Sequence, residues 1–149
     1  MNSAKKENLK RLMSPRNIAF FGGNDVEVAI NEAQRRGFKG PIWPVNPNRE
    51  SIQGIKCFNS IDELPTAPDA SFIAVPSKFV SDIIKDLAHK GAGGAVCYSA
   101  GFGETGPKGQ ALESELSSLA KDMAVIGPNC YGFINYLENV ALWPFAHGG

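Results

Sequence analysis

The chain has 149 residues, with 15 Lys and Arg against 15 Asp and Glu. That length suffices for one domain with its own core, and zero net charge gives no long-range steering towards nucleic acid or an anionic membrane. Three widely spaced cysteines (Cys57, Cys97, Cys130), no CxxC and only two histidines support neither a disulfide framework nor a zinc site, and fit reduced thiols in a cytoplasmic protein.

The first 17 residues are basic but lack the apolar stretch of a secretory signal. Within them Lys5–Met13 reads as a helix outside any sheet, so residues 1–14 are expected to form a helical extension before a domain over 15–149. No run of ~18 apolar residues is present, and nothing is expected to span a membrane. From Asn17 onwards short apolar runs alternate with helical patterns. The runs are Ile18–Phe21, Ile42–Val45, Ser71–Val75, Ala95–Tyr98 and Val125–Ile126, bounded by Gly, Pro, Asn and Ser. Such lengths suit buried parallel strands.

The intervening stripes predict helices. Val26, Ala29, Ile30 and Ala33 share a face before Gly37; Val80, Ile83, Ile84 and Leu87 share another, with Ser77 expected as N-cap; Leu112, Leu116, Leu119 and Met123 form a third. Segment 49–69 breaks the rhythm and reads as an excursion over the sheet edge with at most a short helix at Ile61–Leu64. Two further apolar runs, Phe133–Tyr136 and Val140–Trp143, follow before a turn-like end, and the chain reads as a piece of a longer multidomain polypeptide. The expected class is α/β: a Rossmann-like, doubly wound parallel sheet in three layers.

Ligands of such sheets bind outside the carboxyl ends of the strands. After the first strand come Gly22-Gly23-Asn24-Asp25, where glycine permits close approach and helical N–H groups favour anions. The spacing is not GxGxxG, so a plain tight turn is the competing reading. About 20 residues on, where NAD-binding domains carry an acid for the ribose hydroxyls, stand Asn46, Pro47, Asn48 and Arg49. A cation there suits a ribose phosphate, which points to NADP or coenzyme A, although a surface arginine would look the same.

The third strand leads into Val75-Pro76-Ser77-Lys78-Phe79, a proline-led helix start with one mobile cation, and the fourth into Ser99-Ala100-Gly101-Phe102-Gly103-Glu104. The fifth leads into Gly127-Pro128-Asn129-Cys130-Tyr131-Gly132. Glu104 is read as a solvated loop acid. Cys130 is a possible nucleophile, but His89 and His147 are the only histidines and no catalytic pair is assigned.

The ordered set SPRNIAFFGG, GPIWPVNPN, SFIAVPSKFV, AVCYSAGFGETG and VIGPNCYGFINY resembles the CoA-binding domain of NDP-forming acyl-CoA synthetases, over about residues 9–149. That superfamily includes the succinyl-CoA ligase α subunit and the amino-terminal part of some protein lysine acetyltransferases. The resemblance implies coenzyme A as ligand. It puts Gly22, Gly23, Asn24 and Asp25 at a phosphate or nucleotide contact, and Asn46 and Arg49 at the second strand end, with Arg49 on a CoA phosphate. It puts Val75, Pro76 and Lys78 along the CoA arm, Tyr98, Ser99 and Ala100 in the site wall, and Asn129 near the thiol. Asp25 and Glu27 depart from the family's small first-loop residues, and their charges oppose a pyrophosphate.

The same likeness implies a parent reaction of acid, ATP and CoA giving acyl-CoA, with a phosphohistidine and an ATP-grasp domain elsewhere. The expected partners are therefore CoA or acyl-CoA and the remaining domains or subunit of a synthetase, with neither nucleic acid nor membrane. On that reading the chain alone turns nothing over. The alternatives are a module sensing CoA, acyl-CoA or a dinucleotide, and the CoA-binding part of a lysine acetyltransferase. An NADP oxidoreductase is a further reading, but no Tyr-x-x-x-Lys motif is present.

Overall fold

A computed structural model describes residues 2–98, 107–127, 132–135 and 137–144. In chain order the elements are α1 (Ser3–Met13), β1 (Ile18–Gly22), α2 (Asn24–Arg35), β2 (Ile42–Val45), β3 (Ser51–Ile52), β4 (Ile55–Lys56), β5 (Ala70–Ala74), α3 (Val80–Lys90), β6 (Gly94–Cys97), α4 (Pro107–Ala120), β7 (Ala124–Ile126), β8 (Phe133–Asn135) and β9 (Val140–Leu142). Single 3₁₀ turns lie at Ile61–Glu63 and Ser77–Phe79.

The expected parallel sheet is present, with order β2-β1-β5-β6-β7 and every pairing parallel. Chain direction across the sheet reverses between β1 and β5, and the tips of those strands form the switch point where ligands of open α/β sheets bind.

Strict alternation along each strand splits the core in two. Ile18 and Phe20 of β1, Ala70 and Phe72 of β5 and Val96 of β6 face α1 and α2, joining Leu12, Val26 and Ile30. Ala19, Phe21, Ile73, Ala95 and Cys97 face the other way, onto Val80, Ile84 and Leu87 of α3 and Leu116 and Ala120 of α4. Both faces of the strands are covered, which is why the strands read as unbroken apolar runs. The stripe of α4 is buried as expected at Leu116 and at Met123 just beyond it; the side chain of Leu112 lies outside the described ones.

The helix expected over Lys5–Met13 packs on β5, β6 and β7 and buries Leu12 completely. Asn2 caps it by accepting from the Lys5 N–H at 2.8 Å, and Asn2 and Asn8 both donate to Asp122 beyond α4. At the amino edge of the sheet, Asp69 is buried and receives Arg11 Nε at 2.8 Å and Arg16 backbone N and Nε at 2.9 Å each. Burial alone would raise its pKa; the bonds from Arg16 and Arg11 outweigh that and hold it at about 2.

Two hairpins were not expected. In β3–β4 the turn residues Gln53 and Gly54 take φ of 53° and 77°, the primed-turn geometry for which Asn-Gly is the usual signal. In the other, β8 and β9 turn the apolar runs after β7 into an antiparallel pair that buries Val140 and Leu142 beside α2.

The excursion also returns to the sheet. Phe58 bridges in parallel to Val45, donating to the Pro44 carbonyl and accepting from the Asn46 N–H, each at 2.9 Å. Pro44 sits in β2 with its missing donor on this outer side, so the β1–β2 ladder loses nothing. Ser77 does not cap α3: the chain first makes the 3₁₀ turn Ser77–Phe79, fixed by Pro76 at φ −54°, and no side chain caps either element. Among the described residues no helix is long and apolar enough to cross a membrane, and none cluster as a metal site.

Candidate functional site

The site begins where β1 ends. Gly22 has φ +142°, and a β-carbon there would run into the Ala74 carbonyl oxygen of β5. Only glycine lets the two strand tips close up in that conformation. Gly23 then opens α2 with no atom within 4 Å of where its β-carbon would stand. Its carbonyl accepts from Val26 and Glu27 at 3.0 and 3.3 Å, and no side chain caps the helix. The first N–H groups of α2 therefore lack a side-chain competitor, which favours an anion.

At the tip of β2, Asn46 fills the place of a ribose-binding acid but is turned to internal use. Its Nδ2 donates to the Gly22 carbonyl at 2.8 Å, and its Oδ1 accepts from the Asn48 N–H at 2.8 Å. One side chain thus ties the β2 loop to the β1 turn and folds its own loop. An amide keeps a second N–H and a second lone pair for a ligand.

Beside these tips lies a cleft of about 470 Å³. Phe21, Val45 and Ile61 give it an apolar floor shared with the α3-side core. Gly22, Gly23, Asn46, Asn48, Asn59 and Ser60 form one rim. Ala74, Val75, Pro76, Phe79, Asp82 and Ile83 form the other. Phe79 is half exposed, and Lys78 Nζ stands 5.1 Å from its ring centroid. An apolar slot with amide, hydroxyl and carboxylate groups at its rim suits a flat heterocycle on a polar ribose. Among the described residues that line it, Asp82 is the only one with a charged side chain.

Of the residues singled out from the sequence, Gly22, Gly23, Asn46, Val75 and Pro76 line this cleft. Asn24, Asp25, Arg49, Lys78 and Tyr98 do not. Asn24 and Asp25 open α2, and Asp25 complements the helix dipole there. Tyr98 stacks on Phe72 at 6.1 Å, on the α1–α2 side of the sheet. Arg49 Nη2 pairs with Glu27 Oε1 at 2.6 Å, so the cation expected to meet a phosphate is joined to an acid expected to repel one. Burial pushes the nearby Cys57 thiol up, and the Arg49 charge offsets part of that rise. Ser99, Ala100, Glu104, Asn129, Cys130 and His147 lie outside the described residues.

Phe79, Asp82, Asn59 and Ser60 line the cleft without having been singled out for it. Phe79 carried a signal: it is a large aromatic next to, but outside, the buried stripe that starts at Val80. Asn59 and Ser60 carried none, because their position depends on Phe58 returning to the sheet.

Residues 16–136 match the family model described as the CoA binding domain. A trans-feruloyl-CoA synthase from an unknown prokaryotic organism is 38% identical over 143 residues, covering 91% of this chain and 20% of that protein. The ADP-forming acetate–CoA ligase II subunit alpha of Pyrococcus furiosus is 38% identical over 140 residues, covering 89% of this chain and 30% of its own. The solved dinucleotide-forming acetyl-coenzyme A synthetase 1 of Candidatus Korarchaeum cryptofilum, in complex with phosphate and ADP, superposes with a TM-score of 0.84 at 31% identity. That superposition covers 91% of this chain and 30% of the synthetase. The chain therefore spans 20–30% of the length of these relatives.

Proposed function

The chain belongs to the CoA-binding domain family, and on that footing we propose that it holds coenzyme A across the carboxyl tips of β1, β2 and β5. The observation that carries the reading is the cleft at the switch point, rimmed by Gly22, Gly23 and Asn46 on one side and by Val75 and Pro76 on the other. In this reading the adenine lies in the apolar slot against Phe79, the ribose meets Asn46, and the pyrophosphate meets the uncapped start of α2 near Asn24 and Asp25. Arg49 faces the ribose phosphate. Val75, Pro76 and Lys78 flank the pantetheine arm, which continues past Tyr98, Ser99 and Ala100 to Asn129.

Within a longer acyl-CoA synthetase of the NDP-forming type, working in the cytoplasm, such a domain presents the thiol to an activated acyl group supplied by other domains or a partner subunit. Its contribution is positioning: a thiol held at the right place turns a bimolecular step into an effectively unimolecular one. Coenzyme A is then a substrate of the parent enzyme. Calorimetric titration of the 149-residue chain with coenzyme A tests the reading. Saturable one-to-one binding that NAD does not reproduce is the expected result, and absence of binding overturns it.

A further inference from the structure

The ion pair between Glu27 and Arg49 occupies the corner between the tips of β1 and β2. Asn48, immediately before Arg49, lines the cleft, and so does Gly23, at the N-cap of the helix that carries Glu27. The two side chains are 36% and 33% exposed and meet through a single bond of 2.6 Å. The corner does not depend on this bond for its shape, because Asn46 independently ties the same two segments together through Gly22. A partly exposed pair of this kind adds little to stability. Its main effect is on charge: the guanidinium next in sequence to the cleft-lining Asn48 is already balanced.

We propose that Glu27 is a specificity-determining residue, whose carboxylate occupies Arg49 and suppresses recognition of a phosphomonoester on the adenosine ribose. The inference rests on the coenzyme A reading above. A dianionic phosphate reaching this corner must displace Glu27, or else bind a neutralised guanidinium with a carboxylate a hydrogen-bond length beyond it. A ligand without that phosphate meets neither obstacle. Glu27 therefore weakens coenzyme A more than dephospho-coenzyme A, which keeps only the more distant pyrophosphate for the carboxylate to repel. Arg49 has five donor positions, and among the described residues its side chain donates to Glu27, so release of Glu27 frees that end of the fork for bidentate phosphate contact.

The experiment is calorimetric titration of the full chain and of Glu27→Gln, Glu27→Ala, Arg49→Gln and the Glu27→Gln/Arg49→Gln double variant, each with coenzyme A and dephospho-coenzyme A. Both Glu27 variants are expected to bind coenzyme A about 5- to 10-fold more tightly, up to about 1.4 kcal/mol, with dephospho-coenzyme A changed less than about twofold. The gain should vanish in the double variant. An equal shift for both ligands, no shift, or weaker coenzyme A binding overturns the inference while leaving the coenzyme A reading in place. Failure of both ligands to bind every folded variant overturns the coenzyme A reading, and this inference with it.

Discussion

Asn46 Nδ2 donates to the Gly22 carbonyl oxygen at 2.8 Å, so the tips of two neighbouring parallel strands are joined by a side chain beyond the end of their ladder. Asn46→Ala removes that bond and the turn bond to Asn48. A loss of about 1–2 kcal/mol is expected in urea denaturation, with weaker coenzyme A binding because both joined loops line the cleft. Asn46→Asp should be worse on both counts, since it sets a carboxylate against a carbonyl. Stability of Asn46→Asp equal to that of the parent chain would show that the bond is unimportant.

Gly22→Ala should lower stability by at least about 2 kcal/mol, measured in the same way. The side chain meets the Ala74 carbonyl, and φ +142° is a conformation that only glycine adopts readily. Gly23→Ala, where no atom stands within 4 Å, is the control and should cost far less.

Asp69 sets a prediction for acid. Its folded pKa of about 2 lies below the unfolded value of about 3.9, so the stability it contributes is complete above about pH 4 and is lost as pH falls towards 2. The two-unit difference corresponds to about 2–3 kcal/mol. Asp69→Asn should lose about that much at pH 7 and show a shallower decline between pH 4 and 2. An unchanged acid limb in thermal melts across that range would contradict the assignment.

Phe79 offers a surface test of the ligand pose. The ring is half exposed, so Phe79→Ala should leave stability within about 0.5 kcal/mol. Loss of base stacking should weaken coenzyme A and dephospho-coenzyme A alike by about 1–3 kcal/mol. Pantetheine, which lacks the base, should bind as before.

The sheet was legible in the sequence because burial on both faces leaves an unmistakable record: the run Ile18–Phe21 and its four companions mark β1, β2, β5, β6 and β7 to within a residue or two at each end. The hairpins left weaker traces. Strands of two residues, as in β3–β4, have no periodicity, and Gln53 replaces the Asn that announces such a turn. Ser77 matched an N-cap pattern, but Pro76 fixed the entry and the chain took a 3₁₀ turn first. Within the site, the glycines, Asn46, Val75 and Pro76 follow from the rule that loops at strand ends bind ligands. The pairing of Arg49 with Glu27 does not, since it joins residues whose separate readings had opposite signs.

Pro44 has one further consequence. The outer rail of β2 lacks its N–H at Pro44, while the Pro44 carbonyl and the Asn46 N–H are already taken by Phe58. A second chain approaching this side in extended form would find no donor at Pro44, and the Pro44 acceptor and Asn46 donor already used. This stretch of the edge is thus guarded against intermolecular strand addition, and the sheet can leave the β2 tip beside an open cleft without making it a template for aggregation.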